Sequence, residues 1–264
     1  MPKIMQVPML MYHRLVPEAA LQCVQGRDPY LLTESSFEEQ LAYLSSKGYS
    51  TISLSDFIAH ANGKDVPPQK PVIITFDDGN ESDYTLAYPI LRKYGFTATF
   101  FVVVDSISSP WMLTEEQIKE MSCNGMSIQS HTLTHSYLTN LSREQIEEEL
   151  SKSKAVLESM TGAPVHFLSI PHGMYDNAVK KVAKETGYLA VVTSSLGINN
   201  TKRDLYSLKR IDVRRGISLS QFALCLQGQG MFWRKFMQLL KNMLKRILRI
   251  ENYASLRRKL LQLK

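Results

Sequence analysis

Cysteine is scarce and poorly placed for cross-linking. The 264 residues contain three, Cys23, Cys123 and Cys225, odd in number and far apart. They supply neither a disulfide framework nor a CxxC metal pair. No apolar run reaches the roughly 18 residues needed to span a bilayer. The first residues, MPKIMQVPMLMYH, have one Lys and a short apolar run that ends at once in Tyr-His-Arg. They lack the cleavage region of a signal peptide, so the expected location is cytoplasmic. No strand is followed by GxGxxG or GxxxxGK[ST], which leaves no phosphate-binding loop of either type. Low-complexity linkers are absent too.

Acidic residues are nearly missing from one end. Ten of the 31 Lys and Arg, but only Glu251 of the 25 acids, fall between Phe232 and Lys264. The tail therefore carries +9, and the preceding 231 residues hold 21 cations against 24 acids, a net −3. The basic pI belongs to the tail, and the body's charge gives no indication of a nucleic-acid partner.

What is present is an alternation of strand-like and helix-like segments. QVPMLMYH, PVIITF, FTATFFVVV, MSIQSHT, HFLSIPHG, YLAVVTSS and LKRIDV read as strands. Between them, SFEEQLAYLSSKG, ESDYTLAYPILRKYG, TEEQIKEMSCNG, SREQIEEELSKSKAVLESMTG and DNAVKKVAKETG read as helices, and SLSQFALCLQG as a last one. Ser142 with Gln145 forms a capping box, and Gly162 is a C-terminal stop. Repeated β-then-α units with short connections predict a parallel sheet, and at least seven units in about 220 residues favour a closed barrel. The expected organisation is one catalytic domain over 1–230 and a tail over 231–264.

The chemistry collects where strands end. Asp77 and Asp78 end VIITF, His131 and His135 follow MSIQS, Pro171, His172 and Gly173 end HFLSI, and His13 ends VPMLMY. The C-terminal rim of parallel strands is where sites are built. His131 and His135 are spaced to share one ion if they enter a helical turn. Two imidazoles and one carboxylate suit Zn²⁺, Fe²⁺, Co²⁺ or Ni²⁺, whereas Mg²⁺ takes more oxygen ligands. Adjacent carboxylates repel unless they have different tasks. One can ligate the cation while the other accepts a proton from water, and a histidine can then protonate a leaving group.

These motifs carry a family resemblance. TFDDG (75–79), SHTLTH (130–135) and a strand ending in Pro171-His172-Gly173 resemble the polysaccharide deacetylases, the NodB-homology carbohydrate esterases. The resemblance covers roughly residues 6–222. It implies an irregular (β/α)7 barrel and metal-dependent hydrolysis of N- or O-acetyl groups on sugars. MLMYHR (9–14) and SFEEQLAYLSSKGY (36–49) resemble the exopolysaccharide-deacetylase branch, in which the acid His motif lies near the N-terminus. The resemblance thus assigns Asp77 as base, Asp78, His131 and His135 as ligands of a divalent metal, zinc first, and His13 as acid. Pro171 to Gly173 would line the groove, with the His172 N–H on the oxyanion. Three departures stand out. Ser169 occupies the position of an Arg that orients the base, and Arg210 of LKRIDV is the candidate replacement. His172 adds an imidazole where an aromatic is common, and Asn80 follows DDG where an aromatic is frequent.

Residues 14–35 form a long connection suited to closing over substrate. Tyr30, Trp111 and Tyr137 are candidates for sugar stacking. In the tail, FWRKFMQLLKNMLKRILRI (232–250) segregates Trp233, Phe236, Met237, Leu240, Met243, Leu244, Ile247 and Leu248 from six Lys and Arg on a helical wheel. That pattern predicts an amphipathic helix; its apolar face alone would also fit packing on the barrel, and the nearly pure basic face favours the inner face of the membrane. The leading expectation is a deacetylase of an N-acetylated carbohydrate, polymeric or lipid-linked. The alternatives are an amidase acting on a small non-sugar amide and a catalytically silent carbohydrate- or membrane-binding protein.

Overall fold

A parallel ring forms because apolar strands are followed by crossovers that return the chain to the start of the next strand. The structure is a computed structural model that describes residues 6–21, 28–64, 66–200, 202, 204–231, 236 and 240. Its principal strands are β1 (Met9–Tyr12), β2 (Pro71–Asp78), β3 (Thr99–Val102), β4 (Ser127–Ser130), β5 (Phe167–Ser169), β6 (Ala190–Leu196) and β7 (Leu208–Asp212). They pair in the order β1-β7-β6-β5-β4-β3-β2, and β2 pairs back onto β1. The chain is therefore a closed seven-stranded parallel barrel.

The surrounding helices make it irregular. Two, α1 (Glu34–Ser46) and α2 (Leu54–Ala61), lie between β1 and β2. The next crossovers contain α3 (Tyr88–Lys93), α4 (Glu115–Cys123), α5 (Arg143–Thr161) and α6 (Asn177–Glu185), one each. Between β6 and β7 the described residues form no α-helix but a short strand, Asn199–Asn200, and a 3₁₀ turn, Leu205–Ser207, and α7 (Leu219–Leu226) follows β7. Thr114, Ser142 and Ser218 each close a capping box, and Gly162 ends α5 in the left-handed region at φ 66°. The expected helix over 81–95 is divided into a π-helical turn, Asp83–Ala87, and α3. Pro89, in the first turn of α3, has no N–H for the carbonyl four residues earlier, and the turn before it widens.

Strand alternation produces two cores. Outward residues such as Leu10, Ile74, Phe76, Phe100 and Ile128 pack against Phe37 and Leu41 of α1 and Ile146, Leu150 and Leu157 of α5. Inward residues, including Met9, Ile73, Phe101, Phe167, Val192 and Leu208, fill the barrel with Leu54 and Phe57 of α2. Further along the same strands the inward positions become polar. Ile73 gives way to Thr75 and Asp77, Phe167 to Ser169, and Leu208 to Arg210, all buried. The barrel thus has an apolar plug at one end and a polar one beneath its C-terminal rim. The tail expected over 231–264, with its helix over 232–250, lies outside the described residues except at Met231, Phe236 and Leu240.

Candidate active site and metal centre

Asp77 points into the barrel, where a lone carboxylate would be costly. It is not alone. Arg210 Nη1 and Nη2 donate to Asp77 Oδ1 and Oδ2, each at 2.7 Å, a bidentate pair buried on both sides. The other guanidinium N–H groups donate to Thr75 Oγ1 at 3.2 Å, Ser169 Oγ at 2.9 Å and the Thr193 carbonyl at 3.0 Å. All five donors of the fork are used, which is what makes a buried Arg tolerable. Burial pushes the Asp77 pKa up, but Arg210 and His131 outweigh it and hold the carboxyl below its ordinary value. Arg210 is 1 % exposed, so it is neither a surface cation nor a group facing substrate. Its place is beneath Asp77, next to Ser169.

Alternation alone would send Asp78 to the face opposite Asp77. Its backbone is left-handed instead, at φ 83°. Its Oδ1 lies 3.5 Å from His131 Nε2 and 3.6 Å from His135 Nε2. Gly79 follows at φ 78°, where a Cβ would stand 3.1 Å from Val102 Cγ1, so the turn needs a glycine. Asn80, in place of the frequent aromatic, donates its side-chain amide to the Asp77 carbonyl at 3.3 Å and stiffens the same turn.

The two histidines come together without the helical turn that their spacing suggested. Residues 131–137 form an irregular loop with Thr132 at φ 70° and His135 at φ 62°. The loop is anchored by Glu149 of α5, whose carboxylate accepts from the N–H groups of Leu133 and Thr134 at 2.9 Å and from the Thr134 hydroxyl. His135 N donates to Thr132 Oγ1 at 3.1 Å. His131 Nδ1–H donates to the Ser169 carbonyl at 2.8 Å, which fixes the tautomer and leaves Nε2 free to ligate.

The donor set fits a metal ion. Ligands about 2.0–2.2 Å from a tetrahedral zinc stand roughly 3.4 Å apart. Asp78, His131 and His135 form the one such group found among the described residues, with donor atoms within 4.8 Å of one another. Burial and His131 push His135 down to about 4, so its imidazole is neutral near pH 7. Burial raises the Asp78 pKa, but the hydrogen bond and charge of His131 prevail and keep it well below the carboxylate range.

His13 follows β1 and stacks on Tyr30, with ring centroids 4.5 Å apart. β1 pairs in parallel with β2, with Tyr12 opposite Phe76, so His13 leaves β1 level with Asp77 at the same rim. Its Nδ1 is buried without a hydrogen-bond partner. Pro171, His172 and Gly173 form a tight turn after β5, with His172 left-handed at φ 58°. The His172 ring packs 4.5 Å from His135 and 3.8 Å from Tyr137, and its Nε2 lies 3.2 Å from the His135 carbonyl. Of the three aromatic candidates, Tyr30 is engaged with His13, Tyr137 with His172, and Trp111 is 77 % exposed.

Two residues were missed by the sequence reading, and a third was named only as a departure. That third, Ser169, bonds both Arg210 and Asp77 in addition to standing where an Arg was expected. Glu149 sits on the buried stripe of α5 with Ile146, Leu150 and Ser153, and an acid on an apolar stripe is the signal that could have found it. Asp83 is fully buried with both carboxyl oxygens unpartnered, and nothing local in the sequence distinguishes it from a surface helix acid.

With this geometry, similarity to known proteins becomes specific. The family model described as polysaccharide deacetylase matches residues 64–191. YxkH of Bacillus subtilis (strain 168), which bears the polysaccharide deacetylase name, is 34% identical over 223 residues, spanning 84% of this chain and 77% of its own. A poly-beta-1,6-N-acetyl-D-glucosamine N-deacetylase of Staphylococcus aureus is 28% identical over 172 residues, or 60% of this chain and 59% of that one. Among solved structures, the deacetylase PplD of Streptococcus pyogenes in complex with acetate superposes with a TM-score of 0.78 at 29% identity, covering 85% of this chain and 99% of PplD. Barrel, rim motifs and relatives agree: the chain belongs to the polysaccharide deacetylase family.

Proposed function

We propose that the chain is a metal-dependent hydrolase that removes acetyl groups from N-acetylated sugars. The reading is supported by the relative named for poly-N-acetylglucosamine deacetylation and by the similar deacetylase solved with acetate, the acid that such a reaction releases. The observation that carries it is one rim holding a His₂Asp donor set, a second carboxylate locked by Arg210, and His13.

Asp78, His131 and His135 would hold the cation, with zinc first and nickel, cobalt or iron as alternatives. When bound, such an ion supplies Lewis acidity for the acetyl carbonyl and acidifies water. Asp77 accepts the proton of the attacking water, and Arg210 and Ser169 hold its oxygens in place for that transfer. As the water oxygen bonds to the acetyl carbon, the His172 backbone N–H donates to the carbonyl oxygen that gains charge. A donor of this kind is worth about 3 kcal/mol in the barrier. The C–N bond then breaks, His13 gives the nitrogen its proton, and acetate and an amino sugar leave.

The test is acetate release from N-acetylglucosamine oligomers before and after dialysis against a chelator, with zinc, nickel, cobalt and iron added back singly. The expected result is release that is lost with the chelator and restored by at least one metal. Release that survives chelation would overturn the metal dependence. Hydrolysis confined to small non-sugar amides would make the chain an amidase, and oligomer binding without release would make it a silent binding protein.

A further inference from the structure

An acid histidine has to present one nitrogen to the leaving group, so its ring must be held at a fixed tilt. In a catalytic triad a carboxylate does this through the other nitrogen. His13 is held differently. Its Nδ1 is buried and has no hydrogen-bond partner among the described residues. Tyr30 lies against the ring instead, with centroids 4.5 Å apart and planes 27° apart. Arg214 Cζ stands 5.7 Å from the centre of the Tyr30 ring. Arg214 Nε in turn donates to Asp212 Oδ2 at 2.5 Å, and Asp212, the last residue of β7, is buried. A row of four side chains thus runs from the end of β7 to the end of β1.

The backbone supports the same row. β7 pairs in parallel with β1, with Asp212 opposite Met11, so Arg214 leaves β7 level with His13. The Val213 N–H donates to the Met11 carbonyl at 3.0 Å, and the Arg215 N–H to the Pro29 carbonyl at 2.8 Å. On the other side of Tyr30, the Leu32 N–H donates to the Arg14 carbonyl at 3.1 Å. The neighbours of Tyr30 are therefore tied to both strand exits. A stacked aromatic face fixes the tilt of a second ring without occupying either of its nitrogens.

Resting on the deacetylase reading above, with His13 as its acid, we propose that Tyr30, backed by Arg214 and Asp212, is a positioning residue that aims the His13 imidazole at the leaving nitrogen. In amide hydrolysis the C–N bond breaks, its electron pair stays on nitrogen, and His13 supplies the proton that lets the amine depart. In an aryl acetate the C–O bond breaks and the phenolate leaves with the pair, unprotonated. That second reaction draws on Asp77 but not on the His13 proton.

Three measurements on the full chain test the role. The first compares kcat for acetate release from a chitin pentamer with hydrolysis of p-nitrophenyl acetate. Tyr30→Ala and Arg214→Ala should lower the pentamer kcat about tenfold, part of the 10²–10⁴-fold that a positioned acid contributes. Both should hydrolyse the aryl ester at near the native rate, and Tyr30→Phe, which keeps the ring, should retain both reactions. The second is equilibrium affinity for the pentamer with each change added to Asp77→Asn, which should be unchanged. The third is the proton NMR signal of the His13 ring in the metal-free chain, identified among six histidines by its loss in His13→Gln. The Tyr30 ring current should hold it upfield, and it should move downfield in Tyr30→Ala, less so in Arg214→Ala, and not in Tyr30→Phe. A thermal melt confirms that each variant is folded.

Weaker pentamer binding with kcat retained would make Tyr30 a sugar platform and overturn the proposal. An equal fall in both reactions, or native pentamer kcat in either alanine variant, would overturn it too. No release by the native chain with a Tyr30-dependent signal would refute the deacetylase reading, and the role with it, while keeping the stack. Release with a signal that Tyr30→Ala leaves unmoved would refute the stack and keep the reading.

Discussion

At the scale of single residues, the buried Asp77–Arg210 pair carries the largest consequence. Deleting one partner of a buried pair leaves an uncompensated charge and costs about 3–5 kcal/mol. Arg210→Ala should therefore lower the melting temperature and cut turnover on the order of 10²-fold, since the base loses its orientation while Asp78, His131 and His135 keep their metal. Arg210→Lys retains charge but not the five-donor fork, so its turnover should stay well below that of the native chain. Metal content by mass spectrometry beside kcat and the melt checks this, and native turnover in both variants would refute it. Asp83 makes a prediction of opposite sign. Burial, with Asp78 adding to it, raises its pKa well above the ordinary carboxylate value, so the folded protein keeps a proton that the unfolded chain releases. Stability contributed there is present at low pH and falls as pH rises above the ordinary carboxylate range, by at most about 1.4 kcal/mol per pH unit. The melting temperature of Asp83→Asn relative to the native chain should thus increase between pH 4 and pH 7, and a constant difference would contradict it. The two residues also differ in how legible they were. Arg210 could be nominated because the family resemblance leaves the base without its Arg at Ser169, and LKRIDV brings a cation near the rim if it is a strand. Asp83 could not, because its burial is created by segments distant in sequence, such as Leu15, whose N–H donates to the adjacent Ser82 hydroxyl at 3.0 Å.

At the scale of elements, local signals were read well where they are local. The capping box at Ser142 and the stop at Gly162 define α5 because cap and helix lie within a few residues of each other. The ligand loop was misread for a physical reason. An H-x₃-H spacing suits a helix, but here left-handed Thr132 and His135 make the approach, and they are held by an acid 14 or more residues away in sequence on α5. That support is testable. Glu149→Ala removes the acceptor of three hydrogen bonds in the 133–134 segment without touching a ligand. Loss of such supporting partners costs 10–100-fold in metal affinity in characterised sites. Zinc affinity measured by competition with a chromophoric chelator should fall within that range, with the helix content by circular dichroism retained. Unchanged affinity would mean that the loop holds its shape without α5.

At the scale of the whole molecule, charge is divided rather than mixed. A body of net −3 is joined to 33 residues of net +9, and the alternation of apolar and basic positions over 232–250 has the helical period. We propose that this tail rests on an anionic membrane surface and keeps the enzyme at the inner leaflet, where lipid-linked sugars are accessible. Among the described residues no helix is long and apolar enough to cross a membrane. Six cations on one helical face, each contributing on the order of 1 kcal/mol near an anionic surface, would be sufficient for reversible binding that weakens with salt. A chain truncated after Gly230 retains every residue of the proposed site, so attachment and catalysis can be separated. Sedimentation with vesicles containing phosphatidylserine should carry down the full chain but not the truncated one, and added salt should release it. Acetate release from soluble oligomers should be the same for both. If the tail instead packs on the barrel, the truncated chain will melt at a lower temperature and bind vesicles no differently from the full one, and the membrane assignment falls.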